Sequence, residues 1–88
     1  MKVRFEIQVI TRTKEKITGF FEASKSAQVS ACPSVGSFVY DGSDIGEVEK
    51  VVCDISDDSW IVRPKTVESL AIGAHRQGYE ILGWDIKD

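Results

Sequence analysis

Residues 54–60, DISDDSW, place three carboxylates and two hydroxyls within seven positions. Counted from the first residue as a calcium loop, Ser56 and Asp58 take the third and fifth ligand positions. The sixth position, which requires Gly in such loops, is Ser59, and the twelfth, where a bidentate Glu closes the coordination shell, is Lys65. Asp and Ser are also typical turn residues, because their short side chains bond the backbone two residues further on. We therefore predict a hairpin turn here and no metal site.

The other reactive side chains form no recognisable catalytic set. His75 is the only histidine, and it could activate Cys32 only if the fold brought the two together. Two cysteines are too few for a disulfide framework or a zinc knuckle, and Cys53, with apolar residues at alternate neighbouring positions, is expected to be a small buried side chain. We predict no catalytic, metal-binding or cofactor-binding residues, and the sequence provides no support for an enzyme.

Charge is distributed unevenly along the chain, whose net charge is -3. Residues 1–25 carry six basic and three acidic side chains, whereas residues 41–58 carry seven acidic side chains and Lys50. Such blocks are either solvated faces or interaction surfaces. In the second case the acidic segment would bind a basic protein, as an antitoxin or immunity-type inhibitor does. The candidate acidic partner surface comprises Asp41, Asp44, Glu47, Glu49, Asp57 and Asp58. The basic segment lacks interleaved exposed aromatic residues, which argues against nucleic acid as a partner.

The elements that position these side chains belong to one domain, residues 1–88. Hydrophobic residues make up 42% of the chain and charged residues 28%, as in an ordinary globular domain. No run approaches the roughly 18 apolar residues of a membrane span. The N-terminus alternates polar and apolar residues instead of forming the apolar core of a signal peptide, so we expect a cytoplasmic protein.

Strand patterns dominate the first two thirds of the chain. Val3, Phe5, Ile7 and Val9 alternate with polar residues and predict a half-buried strand. A second strand, with Ile17, Phe21 and Ala23 on one face and Gly19 in its middle, completes a hairpin. Residues 24–34 have no clear pattern, and their conformation stays open. Further strands are predicted at 35–40, at 45–55 and from Trp60 onward. A β-bulge near Glu49 and Lys50 would bring Val48 onto the same face as Val51.

The pattern becomes helical after Pro64. Thr66 is a possible N-cap, Gly78 a possible end, and Val67, Leu70, Ala71 and Ala74 form the face expected to be buried. A second stripe either widens this buried face or forms a contact surface through which the protein self-associates. This candidate interface comprises Glu68, Ile72, His75 and Tyr79. A last strand follows, in which Leu82, Trp84 and Ile86 alternate with other residues.

These elements predict an α+β fold: a strongly bent, partly closed antiparallel β-barrel of about six strands, with one C-terminal helix before the last strand. A barrel of this kind could enclose a small-molecule pocket lined by aromatic rings. The candidate pocket residues are Phe38, Trp60 and Trp84. Core packing explains the same rings more simply.

Two resemblances concern this chain. In the segment VGSFVYDGSDIGEVEKVV, residues 35–52, the order of strand, Gly42, Gly46, Val48 and Val51 resembles the KOW motif of SH3-like barrels in ribosomal and transcription proteins. Carboxylates stand where that family presents basic residues to RNA, so the resemblance implies the fold and not RNA binding. The whole chain resembles small proteins of integron gene cassettes, which implies a bacterial origin and a homo-oligomer. Together these observations favour a small binding module that self-associates.

Overall fold

The computed structural model describes all 88 residues as seven strands and one helix. The strands form one sheet in the order β3-β4-β5-β1-β2-β7, and the short β6 pairs with β1. The element bounds are β1 (Lys2–Thr13), β2 (Lys16–Gln28), β3 (Phe38–Tyr40), β4 (Asp44–Asp54), β5 (Ser59–Pro64), β6 (Val67–Glu68), α1 (Ile72–Ile81) and β7 (Asp85–Lys87). The predicted α+β class and order of the main elements are confirmed.

The β1–β2 hairpin forms as predicted, but a bulge changes the face on which Ile17 lies. Thr11 pairs with Gly19 whereas Arg12 pairs with Ile17, so Thr18 is the extra residue. The shift moves Ile17 from the face of Phe21, which is buried, to the face of Phe20, where Ile17 is 58% exposed. The prediction that Ile17 belongs to the core face is therefore wrong.

The region left open in the sequence, residues 24–34, divides into strand and loop. β2 continues to Gln28, and the N–H of Val29 donates to the carbonyl of Met1 at 2.9 Å. The chain then runs without regular structure to β3, which is shorter than the predicted strand. Gly36, which lies before β3, still donates a backbone hydrogen bond to the Val48 carbonyl at 2.9 Å.

The β4–β5 hairpin confirms the predicted bulge. Val48 pairs with Pro64 and Lys50 with Arg63, which leaves Glu49 as the extra residue and Val48 fully buried. Cys53 is exposed near the end of β4, so the prediction of a buried side chain is wrong. Cys32 is the half-buried thiol, packed against the core from the loop after β2.

The predicted antiparallel, partly closed barrel does not form. β1 pairs in parallel with both β5 and β6, so the sheet is mixed, and the edge strands β3 and β7 do not pair with each other. Side chains connect these two regions instead, because Asp41, next to β3, accepts hydrogen bonds from Lys25 of β2 and from Trp84, next to β7. The sheet therefore curls around one core without backbone closure.

The helix starts later than predicted and buries the other face. Residues 67–68 are strand β6, so Thr66 is no N-cap, and the helix continues through Gly78. Ile72 and Tyr79 pack on the core, whereas the face expected to be buried, Ala71, Ala74 and Gly78, is exposed. Burial of Ile and Tyr removes far more apolar surface from water than burial of Ala and Gly, which decides the helix rotation. Leu70, also predicted on the buried face, is 95% exposed.

Candidate binding site

A polar recess lies on the sheet face opposite to the helix. It is a groove of about 460 Å³, and only two of its thirteen lining residues are hydrophobic. β1, β2, β4, β5 and β7 all contribute side chains, which places the groove across the middle of the sheet. Because the single helix covers the core face, this opposite face stays open to a ligand. The charged lining residues are Arg4, Glu6, Glu22, Glu49, Lys50, Arg63 and Lys87.

A three-residue network organises one wall of this groove. The parallel pairing of Phe5 with Val62 sets Glu6 beside Arg63. Arg63 Nη2 and Nε lie 3.2 and 3.3 Å from Glu6 Oε1, and Arg4 Nε lies 3.0 Å from Glu6 Oε2. Each carboxylate oxygen thus holds one guanidinium group, and both guanidinium groups keep further N–H donors free.

Lys50 stands directly opposite Arg63 in the β4–β5 pairing and forms no ion pair. Two cations are therefore cross-strand neighbours, an arrangement that destabilises an antiparallel pair. The sequence alone did not indicate this site. The alternating polar positions of β1 were visible in the sequence, but the parallel neighbour β5, which completes the groove, was not.

A second recess, of about 560 Å³, separates the β3–β4 turn from α1. Small side chains of the helix line it together with Asp44, His75 and Tyr79. Burial, and secondarily the charge of Asp44, raises the pKa of the Tyr79 hydroxyl. His75 Nδ1 lies 2.7 Å from the Ser69 hydroxyl, which also accepts a hydrogen bond from the Ala71 N–H at 3.1 Å.

The Ser69 hydroxyl thus organises the chain before α1, where the N-cap residue Ala71 offers no side-chain hydrogen bond. The structure does not pair His75 with Cys32, whose Sγ lies 3.6 Å from the Pro33 carbonyl oxygen. No three or more His, Cys, Asp or Glu side chains are arranged to hold a metal ion.

The segment 54–60 is the turn that the sequence predicted. Asp54 Oδ1 accepts hydrogen bonds from the backbone N–H of Ser56 at 3.0 Å and from its hydroxyl at 2.6 Å. The hydroxyl bond is the main cause of a lowered pKa at Asp54. The Ser59 hydroxyl donates to Asp57, and Asp58 adopts a positive φ of 57°. The carboxylates of Asp54 and Asp57 thus accept hydrogen bonds from within their own turn.

The predicted helix stripe does not form one exposed surface. Glu68 belongs to β6, where its carboxylate lies 3.0 Å from Arg12 Nε. Tyr79 is buried and packs edge to face against Phe21 and Trp84, with ring centroids 6.0 and 5.4 Å away. Ile72 packs on the core, which leaves His75 as the exposed helical member. Two members of the stripe thus pack on the core and two are exposed, and the face of Ala71 and Ala74 that the stripe was expected to widen is itself exposed.

The candidate acidic residues are spread over both ends of β4. Asp41 is bound to Lys25, and Glu47 to Lys65 at 2.9 Å. The hydrogen bond that Lys65 donates to Glu47 is the main cause of a raised pKa at Lys65. Asp44 and Glu49 are exposed without ion pairs. Asp57 and Asp58 lie beyond the far end of β4 in the turn. The six carboxylates do not form one continuous acidic patch.

The three aromatic residues predicted to line a pocket lie in different environments. Trp84 is buried, Trp60 is half-buried beside the core, and neither lines the two recesses described above. Phe38 is 71% exposed on β3, and Tyr40, two residues further, is 76% exposed. Val39 between them packs on the core, so the two rings project from the outer face of this edge strand. We call Phe38 and Tyr40 the aromatic edge.

Comparison with known protein families, curated proteins and solved structures found no match. No helix of the protein is long and apolar enough to cross a membrane. Functional inference therefore rests on the surfaces of this chain itself.

Proposed function

We propose that this protein is a small binding module that self-associates through the aromatic edge. The observation that carries the proposal is the exposure of Phe38 and Tyr40, two large rings on a strand at the end of the sheet. Exposed aromatic side chains are frequent anchors of protein interfaces, because they bury much apolar surface at low entropic cost. β3 has only three residues, which limits pairing of its backbone with another strand, so the side chains make the contact.

The partner surface is a second apolar pair on another copy, formed by Ile17 and Phe20 of β2. These side chains are 58% and 45% exposed, and the bulge at Thr18 sets them on the same face. The adjoining β1–β2 turn consists of Lys14 and Glu15, and β2 begins with Lys16. Neither lysine forms an ion pair in the chain. We call Ile17 and Phe20 the β2 patch.

Charge favours contact between these two different surfaces. The cross-strand partners of Phe38 and Tyr40 are Glu47 and Asp44, so two aromatic edges facing each other would bring like charges together. An aromatic edge against the β2 patch brings Asp44 near Lys16 instead. The contact is then head-to-tail and produces a ring or a chain of copies.

The experiment is sedimentation analysis over a concentration series. We expect the native chain to form oligomers and the variant Phe38→Asp with Tyr40→Asp to be a folded monomer. The matched control is Leu70→Asp with Ile55→Asp, which places the same two charges at exposed apolar residues outside both surfaces. A native monomer, or an unchanged oligomer of the double variant, would refute the proposal.

A bacterial origin, implied by the integron resemblance, and a cytoplasmic location are part of this proposal. The alternative of an inhibitor with an acidic surface has less support, because Asp41 and Glu47 are bound to lysines of the same chain. A barrel pocket for a small molecule also has less support, because the three aromatic residues do not converge on a cavity.

A further inference from the structure

The polar groove contains Lys50, a cation without an ion pair, beside Arg63, which is paired with Glu6. Lys50 and Arg63 are direct cross-strand neighbours, and no carboxylate forms an ion pair with Lys50. Like charges at such positions repel each other and weaken the pairing of the strands. Local departures from the stabilising arrangement are typical of functional sites, where a ligand supplies the missing charge.

The same wall of the groove pairs two half-exposed guanidinium groups with one carboxylate. Glu6 binds Arg4 through one oxygen and Arg63 through the other, at 3.0 to 3.3 Å. Because Glu6 is occupied by both arginines, it orients them without using all of their N–H donors. Guanidinium groups with free donors bind carboxylate and phosphate oxygens in pairs of hydrogen bonds.

We infer that the groove binds a small multivalent oxyanion, a carboxylate or phosphate compound, between Arg4, Lys50 and Arg63. The volume of about 460 Å³ lies within the range of small-molecule sites, roughly 300–1,000 Å³. The scarcity of hydrophobic lining residues requires a polar ligand. Glu22 and Glu49, which also line the groove, would repel surplus negative charge, which limits the ligand to a compact anion. This site is independent of the proposed self-association.

Calorimetric titration of the folded chain with citrate and with pyrophosphate, in a buffer free of other multivalent anions, tests the inference. We expect saturable binding of at least one probe and a loss of affinity of about tenfold in Lys50→Gln. Binding of citrate alone assigns the site to carboxylates, and binding of pyrophosphate alone assigns it to phosphates. If neither citrate nor pyrophosphate binds, the inference is overturned.

Lys50→Gln is the decisive variant because it leaves the network of Arg4, Glu6 and Arg63 intact. Its matched control is Lys14→Gln, which removes the same charge in the β1–β2 turn, outside the groove. If Lys50→Gln and Lys14→Gln lose equal affinity for the probe, the effect is one of overall charge, and the proposed site in the groove is wrong.

Thermal unfolding provides a second readout of the same variant. Without ligand, we expect Lys50→Gln to unfold about 2 °C higher than the native chain, because the repulsion from Arg63 is removed. With the bound probe, the native chain should gain stability and the variant should gain much less. A variant that is less stable without ligand, or equally stabilised by it, would contradict the role of Lys50.

Discussion

Asp41 is the residue that holds the two sides of the curled sheet together. One oxygen, Oδ2, accepts hydrogen bonds from Lys25 Nζ at 2.8 Å and from Trp84 Nε1 at 2.9 Å, while Lys25 also donates to the Leu82 carbonyl at 2.8 Å. The β3–β4 turn, β2 and the end of the helix thus share one polar contact. The hydrogen bond from Lys25 is the main cause of a lowered pKa at Asp41.

We predict that Asp41→Asn lowers the free energy of unfolding at neutral pH by about 1 to 2 kcal/mol. A charged hydrogen bond contributes about 1.5–3 kcal/mol, and solvent screening reduces this value because both side chains are about a third exposed. Urea unfolding followed by tryptophan fluorescence measures the difference. Asp44→Asn, at an exposed carboxylate without an ion pair, is the control and should change stability little.

The lowered pKa of Asp41 also predicts a pH dependence. A carboxyl group whose pKa is lower in the folded state than in the unfolded state stabilises the fold above its unfolded pKa. That contribution is lost as the pH falls below about 4 toward the folded value. The stability difference between the native chain and Asp41→Asn should therefore shrink as the pH falls through this range. A difference that stays constant would show that the Asp41 charge contributes nothing.

At the scale of elements, the end of α1 is determined by backbone geometry. Gly83 has a φ of +86°, and its N–H donates to the Glu80 carbonyl at 3.1 Å. The Trp84 N–H donates to the Tyr79 carbonyl at 3.0 Å, and the two rings pack edge to face. These are the two hydrogen bonds and the apolar contact of a Schellman motif, which directs Trp84 back into the core.

Two glycines of this region allow a matched test. Gly83→Ala should destabilise the fold by about 1 kcal/mol, because a side chain disfavours the positive φ. Gly73→Ala, inside the helix without positive φ, should stabilise it by up to about 1 kcal/mol. Neither position has atoms within 4 Å of an added Cβ, so the comparison isolates backbone conformation. Thermal unfolding of both variants measures the two changes in stability. If both substitutions change the stability equally, the role of the positive φ at Gly83 is contradicted.

The bulges of β1–β2 and β4–β5 illustrate how one residue changes a surface. At Val48 the extra residue brings an apolar side chain into the core. At Thr18 the extra residue carries Ile17 out of the core face and beside Phe20. The alternation of Val48 with Val51 is interrupted in the sequence, so the first bulge was predictable. Gly19, next to the extra residue of the second bulge, is a residue type that often marks a bulge in a strand. Ile17 and Phe21 already share one parity, however, so the sequence did not indicate that Ile17 changes face.

At the scale of the whole molecule, the proposed head-to-tail contact depends on opposite charges around two separate surfaces. The β3–β4 hairpin that bears the aromatic edge lies at one end of the sheet order. The β1–β2 hairpin that bears the β2 patch lies toward the other end. Salt screens exposed charges, so association should weaken as the salt concentration rises.

Charge reversal distinguishes this assembly from a two-fold dimer. We expect Asp44→Lys and Lys16→Glu each to weaken association by about tenfold at low salt, because each variant gives both surfaces the same sign. Mixing the two variants should restore assembly, since each altered surface then meets an opposite charge on the other chain. Sedimentation of the separate and mixed variants measures this. If Lys16→Glu associates like the native chain, the head-to-tail arrangement is incorrect.

Local sequence determined the strands, the 54–60 turn and the bulge after Val48, because alternation and turn chemistry depend on residues close in the chain. The tertiary structure decided which strands meet in parallel, which helix face is buried and where the polar groove lies. Arg4, Lys50 and Arg63 come together only when β1, β5 and β4 are neighbours. The two faces of α1 differ in the apolar surface that they can bury. Tyr79 is buried instead of the small residues Ala74 and Gly78 because its ring packs against Phe21 and Trp84, a contact that exists only in the folded chain.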